Sequence, residues 1–294
     1  MIHSRFLAKV IVVFAFCVTV PTLPGLAAKA DFAASYAQEM AEHHRGDRPV
    51  PSPAVTASVP TDVTAAPVSY ARIDGKKVEG YLAVPKGASE DIPGIIVIHE
   101  WWGLNDNIRA MTRRLAALGL RALAVDLYQG RVATTPPAAQ KLMRDSLENP
   151  DRAKRNLRQA YEYLSRKGSP RIGVIGWCFG GGWSLQTALL YPRDLAAAII
   201  YYGKLVTDPA TLKGLKVPIQ GHFGSLDTLN SRATIERFQK ELEAQGTPVE
   251  VYVYPGAGHA FANPSGTRYN AKAADAAWAR SVRFLRNHLI RPAR

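Results

Sequence analysis

The chain has 294 residues, of which 47% are hydrophobic and 21% charged, so it can fold around one sizeable core and is not a disordered protein. Its two cysteines exclude a disulfide-linked scaffold and a cysteine-rich zinc site. The formal net charge of +13 is spread along the chain, with basic clusters no longer than pairs such as Lys76-Lys77. This pattern favours a solvated basic surface over a nucleic-acid-binding patch.

Residues 1–30 have the pattern of a secretory signal peptide. Arg5 and Lys9 precede an apolar run over Val10–Val20, and Ala28-Lys29-Ala30 fits a cleavage site. The apolar run has eleven residues and is too short to span a bilayer. We therefore expect a cleaved signal, export to the periplasm and no stable membrane anchor.

Residues 31–67 are expected to form an extended leader before the folded domain. Asp31–Arg48 has the length of a short helix, whereas Pro49–Pro67 is rich in Pro, Ala, Ser, Thr and Val and cannot bury much surface. His43 and His44 lack partners at metal-ligand spacing in the sequence, so we expect them to be solvated. No metal site is predicted.

From residue 68 to residue 294, predicted strands alternate with predicted helices. The first two strands, Val68–Ile73 and Lys77–Val84, form a hairpin around Asp74-Gly75. The later strands are continuous apolar runs, as expected in a sheet that is covered on both faces. They are Gly94–His99, Arg121–Val125, Ile172–Gly176, Ala196–Tyr201, Pro218–Phe223 and Val249–Tyr254. This order predicts one α/β domain with a mostly parallel central sheet, helices on both faces and a ligand site at the carboxyl ends of the strands.

Gly176-Trp177-Cys178-Phe179-Gly180 lies between a predicted strand and a predicted helix. It matches the nucleophile elbow G-x-S-x-G, with cysteine in place of serine. The N-terminus of the following helix favours a thiolate at Cys178, and the N–H of Phe179 can face a developing oxyanion. Removal of the signal peptide with Cys17 would leave Cys178 as the single cysteine. On these residues alone, a nucleophile and a small buried cysteine at a strand–helix corner both remain open.

Asp227 and His259 each follow a predicted strand and give the hydrolase order of nucleophile, acid and histidine. Because the carboxyl ends of parallel strands meet at one edge of the sheet, both side chains can converge on Cys178. Asp227 would orient the imidazole of His259, which would polarise the thiol. The ordered set favours a triad over the alternatives of a turn aspartate and a loop histidine.

Glu100 ends an apolar strand in His99-Glu100-Trp101-Trp102-Gly103. A carboxyl buried there would have a raised pKa and could exchange a proton with a thiol, although a helix-capping or ion-paired acid is the alternative. The N–H of Trp101 is expected to be the second oxyanion donor. The second histidine of an H-E-x-x-H motif is missing, which excludes a zinc protease of that type.

These motifs together resemble the dienelactone hydrolase (carboxymethylenebutenolidase) family over about residues 68–289. The residues that carry the resemblance are His99–Asn105, Val125–Tyr128, Gly176–Gly181 and Gly258–Phe261. The resemblance implies an α/β-hydrolase fold, a triad of Cys178, His259 and Asp227, and no cofactor. It also implies that Glu100 keeps Cys178 as a poorly reactive thiol until a substrate carboxylate displaces Glu100. Glu100 then takes the thiol proton, and the thiolate opens a lactone through an acyl-enzyme.

One position departs from the family pattern. The best-known members of the family have an arginine four residues after the catalytic histidine, and this chain has Asn263 there, with Arg268, five residues further on, as a substitute cation. The predicted substrate-binding residues are Asn263, Trp102, Tyr201 and Tyr202, and core packing is the alternative for the three aromatic residues. The predicted function is hydrolysis of a small-molecule lactone or enol-type ester. A broad carboxylesterase and a non-catalytic exported thiol protein, which binds a ligand or senses oxidants, are the alternatives. The basic surface neither requires nor excludes a dimer.

Overall fold

An eight-stranded sheet forms the centre of the fold in a computed structural model of the chain, which describes residues 24–49 and 60–290. The strands are β1 (Val63–Ile73), β2 (Lys76–Pro85), β3 (Gly94–Ile98), β4 (Arg121–Val125), β5 (Ile172–Trp177), β6 (Ala197–Tyr201), β7 (Ile219–Gly224) and β8 (Val249–Tyr254). Their order in the sheet is β1-β2-β4-β3-β5-β6-β7-β8. β2 pairs antiparallel with β1 and β4, and all other neighbours are parallel. The predicted mostly parallel sheet is confirmed.

Helices connect the parallel strands and flank the sheet. They are α1 (Pro24–His43), α2 (Asp106–Ala116), α3 (Pro136–Glu148), α4 (Pro150–Arg166), α5 (Phe179–Leu190), α6 (Pro209–Leu212), α7 (Arg232–Ala244) and α8 (Ala271–Leu285), which continues as a π-helix over Arg286–Ile290. Every residue of β3 through β7 is buried, which requires cover on both faces of the sheet. Within the described ranges, no helix is both long enough and apolar enough to cross a bilayer.

The first hairpin is longer than the sequence predicts. β1 begins at Val63, which pairs with Pro85, rather than at Val68. The turn lies at the predicted residues, and Asp74 and Gly75 have φ angles of 50° and 78°. Aspartate and glycine tolerate this left-handed conformation, which matches the twist of a hairpin.

The first part of the leader is a helix, which the sequence analysis allowed for Asp31–Arg48, and it is packed rather than extended. α1 includes Asp31–His43, and its buried side chains Ala33, Tyr36, Ala37 and Met40 recur at helical spacing. Lys204 Nζ donates to Glu39 Oε2 at 3.0 Å. This part of the leader packs on the domain. Most of the Pro-rich stretch lies in residues 50–59 and most of the predicted signal peptide in residues 1–23, outside the described residues.

Candidate active site

Cys178 occupies a strained turn between β5 and α5. Its φ and ψ angles are 55° and −119°, a conformation that non-glycine residues rarely adopt, and its N–H donates to Tyr201 O at 2.9 Å. A Cβ on Gly176 would lie 2.2 Å from Gly180 O, and a Cβ on Gly180 would lie 2.4 Å from Ile98 O. The two flanking glycines are therefore required by the closeness of the backbone, as the elbow motif predicts.

Asp227 and His259 form a buried pair close to Cys178. Asp227 Oδ2 lies 2.9 Å from His259 Nδ1, and Asp227 Oδ1 accepts from the N–H of Leu229 at 3.0 Å. Burial acts to raise the pKa of Asp227, but its interactions with His259 and the hydrogen bond from the Leu229 N–H together outweigh burial and hold that pKa below its usual value. Asp227 therefore stays ionised and fixes the proton of His259 on Nδ1. Nε2, buried and without a hydrogen bond to any described residue, remains free to accept.

Glu100 lies at the carboxyl end of β3 with its side chain fully buried. Tyr202 Oη donates to Oε1 at 3.2 Å and Asn263 Nδ2 donates to Oε2 at 2.5 Å. Burial raises the pKa of Glu100 to about 8, with the charge of Asp47 acting in the same direction and the Tyr202 hydrogen bond against it. The carboxyl group is therefore mostly neutral at pH 7. Among the described residues its hydrogen bonds go to Tyr202 and Asn263, not to Cys178.

Two backbone N–H groups influence the thiol of Cys178. They belong to Phe179 and Trp101, the two predicted oxyanion donors, and they act to lower the pKa of the thiol. Burial is the larger effect, and the charge of Glu100 adds to it, so the pKa of Cys178 is raised well above its usual value. The resting group is therefore a thiol.

The segment directly after α1, at positions 44–47, covers these residues. His44 is 1% exposed and its Nε2 lies 3.8 Å from Cys178 Sγ, while its Nδ1 lies 2.9 Å from Asp47 Oδ2. The expectation that His44 is solvated is therefore wrong. Burial lowers the pKa of His44 to about 4 even though Asp47 acts in the opposite direction, so the imidazole is neutral. His43 is half-buried, with its ring centroid 5.3 Å from that of His259.

Neighbouring elements hold this segment in place. Asp47 Oδ1 accepts from the N–H of Thr267 at 3.1 Å and from Thr267 Oγ1 at 2.8 Å. The His44 ring stacks on Trp101 at a centroid distance of 4.3 Å and meets His259 edge-on at 5.3 Å. Sequence reasoning missed this imidazole. In the sequence, the one local sign of this contact is that Asp47 follows His44 by three residues.

The predicted substrate-binding residues separate into two groups. Tyr202 and Asn263 contact Glu100, and the Trp102 ring lies 5.9 Å from that of His44. The side chain of Tyr201 points elsewhere: its Oη lies 2.8 Å from Ser281 Oγ, and the residue lines a cavity of about 260 Å³ whose walls include neither Cys178 nor His259. Tyr201 therefore contacts the elbow through its backbone carbonyl, which accepts from the Cys178 N–H, and its ring does not face the site.

An apolar cavity adjoins the site between α1 and α5. It has a volume of about 470 Å³ and is lined mainly by Phe32, Tyr36, Phe179, Trp183, Leu205 and Val206. Cys178, Glu100 and His259 are each at most 2% exposed. The reactive groups are thus closed off by α1, with apolar space beside Phe179.

Comparisons with known proteins find related sequences. A model of the dienelactone hydrolase family matches residues 78–289. The protein named usf of Aquifex pyrophilus is 35% identical over 74% of this chain and 96% of its own length. A protein of Saccharolobus solfataricus proposed to be a carboxymethylenebutenolidase is 32% identical over 72% of this chain and 95% of its own.

Solved structures show the same fold. A crystal structure from Klebsiella pneumoniae, of a protein proposed to be a dienelactone hydrolase, superposes with a TM-score of 0.69 at 28% identity, covering 76% of this chain and 98% of that one. A dienelactone hydrolase-like promiscuous phosphotriesterase from metagenomic libraries has a TM-score of 0.70 at 23% identity, over 78% of this chain and 99% of that one.

Proposed function

Because the chain belongs to the dienelactone hydrolase family, it is a carboxylic ester hydrolase, and we propose that it opens lactones or enol-type esters with Cys178 as the nucleophile. The observation that carries the proposal is the placement of Cys178 at the elbow, with a ring nitrogen of His259 within 4.8 Å of its sulfur and the backbone N–H groups of Phe179 and Trp101 acting to lower the pKa of its thiol. The substrate is a small molecule, and the mechanism requires no cofactor.

In this mechanism His259 takes the thiol proton. Its Nε2 is the acceptor because Nδ1 keeps its hydrogen on Asp227, and one ring nitrogen of His259 lies within 4.8 Å of the sulfur. Glu100 can take the proton only if its carboxyl is ionised and released from Tyr202 and Asn263. Glu100 therefore acts first through its charge. When Glu100 is ionised it raises the pKa of the Cys178 thiol and disfavours the thiolate, and when it is neutral it does not.

The thiolate then attacks the carbonyl carbon, and the carbon–sulfur bond forms as the carbonyl oxygen becomes an oxyanion. The N–H groups of Trp101 and Phe179 stabilise that charge. Cleavage of the ring carbon–oxygen bond expels an enolate, which takes the proton from His259 and leaves a thioester on Cys178. Water loses a proton to His259 and attacks the thioester, and the carbon–sulfur bond breaks to restore the thiolate. A thiolate suits this substrate class because an enolate is a better leaving group than an alkoxide.

The substrate carboxylate needs a cation, and Arg268 is the residue we propose for it. Asn263 stands where the family has arginine, but its amide donates to Glu100 and its Oδ1 accepts from Asn107 and Ser265. Arg268 is partly buried and close enough to His43 and His44 that its charge acts to lower the pKa of both. It therefore lies on the side of the site that α1 covers.

The experiment follows hydrolysis of a dienelactone beside a p-nitrophenyl ester. We expect lactone turnover in the wild type, a thioester adduct on Cys178 by mass spectrometry after rapid acid quench, and a loss of at least about a thousandfold in Cys178→Ala and His259→Gln. His288→Gln, a half-buried histidine on the π-helix, is the matched control and should keep full activity. Ester turnover alone would make the protein a general carboxylesterase. The proposal would be refuted if the folded protein turned over neither compound while its Cys178 was still alkylated rapidly. That result would favour a thiol sensor.

We further propose that the protein is exported to the periplasm. The basic, apolar and small-residue order of residues 1–30 supports this, and the mature chain from Asp31 would keep His44 and Asp47. The N-terminus of the protein recovered from a periplasmic extract, read by mass spectrometry, tests it. An intact Met1 in the cytoplasmic fraction would refute export.

A further inference from the structure

Three buried side chains direct metal-binding atoms at one point. Cys178 Sγ and one ring nitrogen from each of His44 and His259 lie within 4.8 Å of one another, and the distance from Sγ to His44 Nε2 is 3.8 Å. All three residues are at most 2% exposed. The hydrolase mechanism uses Cys178 and His259 but leaves His44 without a role.

Each of the two imidazoles is supported by its own carboxylate. His44 Nδ1 lies 2.9 Å from Asp47, and His259 Nδ1 lies 2.9 Å from Asp227. Histidines that ligate metals usually carry such a carboxylate on the other ring nitrogen, which fixes the tautomer and increases the basicity of the ligating nitrogen. Nε2 of His259 is also buried with no hydrogen bond to a described residue. His44 is thus held with Nε2 toward the sulfur, and Nε2 is the ring nitrogen of His259 that remains free to ligate.

The spacing and the donor types fit one class of cation. Bonds of about 2.3 Å to sulfur and about 2.1 Å to nitrogen at tetrahedral angles separate the two donors by roughly 3.6 Å. The observed 3.8 Å between Sγ and His44 Nε2 is close to this value. One thiolate and two imidazoles select a borderline-soft cation such as Zn²⁺, whereas Mg²⁺ and Ca²⁺ require oxygen ligands.

We propose that Cys178, His44 and His259 form a binding site for one Zn²⁺-like divalent cation, with the fourth coordination position open. Binding releases the thiol proton to solvent, while both histidines keep their Nδ1 protons and bind through the Nε2 lone pair, so no oxidation or reduction takes place. The cation occupies the sulfur that would attack a lactone, so it inhibits hydrolysis. It also ties the segment that follows α1 to the elbow, because His44 and Cys178 are both ligands.

The test uses Co²⁺ as a spectroscopic probe on the metal-free protein, and its readout requires no turnover. Tetrahedral Co²⁺ bound to a thiolate gives a sulfur-to-metal charge-transfer band and intense visible bands. We expect both at one equivalent of Co²⁺, their loss on addition of Zn²⁺, and their absence in His44→Ala and Cys178→Ala. Asp47→Asn should bind Co²⁺ about 10- to 100-fold more weakly. His43→Gln changes the adjacent histidine outside the cluster and should bind as the wild type does.

Protection of the thiol provides a second measurement on the wild type alone. One equivalent of Zn²⁺ should slow the alkylation of Cys178 by iodoacetamide at least tenfold, and Mg²⁺ should not. The absence of a cobalt–thiolate band in the wild type would overturn the proposal. So would a band of full intensity in His44→Ala, or equal protection by Mg²⁺. A failure of the hydrolase assay leaves these spectra unaffected, so the two proposals are separable.

Discussion

Replacement of Glu100 by glutamine tests whether the buried carboxyl is neutral in the folded protein. Burial raises its pKa from 4.5 to about 8, whereas in the unfolded chain it ionises at the ordinary value. Between these two values the folded protein therefore binds more protons than the unfolded chain. For an acid with a raised pKa, the free energy of unfolding falls as the pH rises through this window.

The two pKa values set the size of the effect. Ionisation of Glu100 in the unfolded chain lowers the free energy of unfolding by about 1 kcal/mol at pH 5.5 and about 4 kcal/mol at pH 7.5. Glutamine has the same shape without the charge, and it can offer its carbonyl to Asn263 and its amide N–H to the Tyr202 oxygen. We therefore expect the stability of Glu100→Gln, relative to the wild type, to increase by about 2 to 3 kcal/mol between these pH values.

The assay is urea unfolding followed by circular dichroism at both pH values. Subtraction of the wild type from the variant cancels the histidines and surface groups that titrate in the same range. Glu79→Gln, which replaces an exposed glutamate on β2, is the control for the loss of a surface carboxylate. A difference between Glu100→Gln and the wild type that is constant with pH would refute the reasoning, because it would mean that burial does not raise the pKa of this carboxyl.

Two further predictions concern packing at the elbow and under α1. Gly180→Ala should unfold at a lower temperature, at a cost of about 1–3 kcal/mol, because its Cβ would lie 2.4 Å from a carbonyl oxygen of β3. Gly182→Ala should be tolerated, because the nearest atom to its Cβ would lie at 3.6 Å. Equal melting temperatures for the two variants would contradict this prediction. Met40→Asp buries a charge under α1 and should raise the rate of Cys178 alkylation at least about tenfold, while Ser35→Asp on the exposed side should not. An unchanged rate in Met40→Asp would show that α1 does not cover the thiol.

The sheet could be predicted because its central strands are buried on both faces. Such strands appear in the sequence as continuous apolar runs between turn residues, and β3 through β7 all show this pattern. The convergence of Cys178, Asp227 and His259 followed from the same rule, because each stands at the carboxyl end of its own strand. The start of β1 was missed since Val63–Pro67 lies in a Pro- and Ala-rich stretch whose pairing depends on β2.

The position of His44 could not be predicted from the sequence. Its contact with Cys178 joins residues 134 positions apart and depends on how α1 docks. A histidine three residues before an aspartate looks the same in the sequence whether the pair is solvated or buried. Tyr201 and Tyr202 posed a related problem, because adjacent residues at a strand end point to opposite sides and only Tyr202 reaches Glu100.

α1 links the two proposals because they place opposite demands on it. A lactone reaches Cys178 only when the cover moves, and His44, which contacts both the sulfur and the His259 ring, directly follows α1. A cation requires the reverse, since His44 can act as a ligand only while α1 is docked. Asp47 serves the docked state twice, by supporting His44 and by accepting two hydrogen bonds from Thr267. Zn²⁺ and substrate should therefore compete through the position of α1 as well as through the sulfur. Loss of the Thr267 hydrogen bonds should weaken Zn²⁺ binding and favour hydrolysis of the lactone.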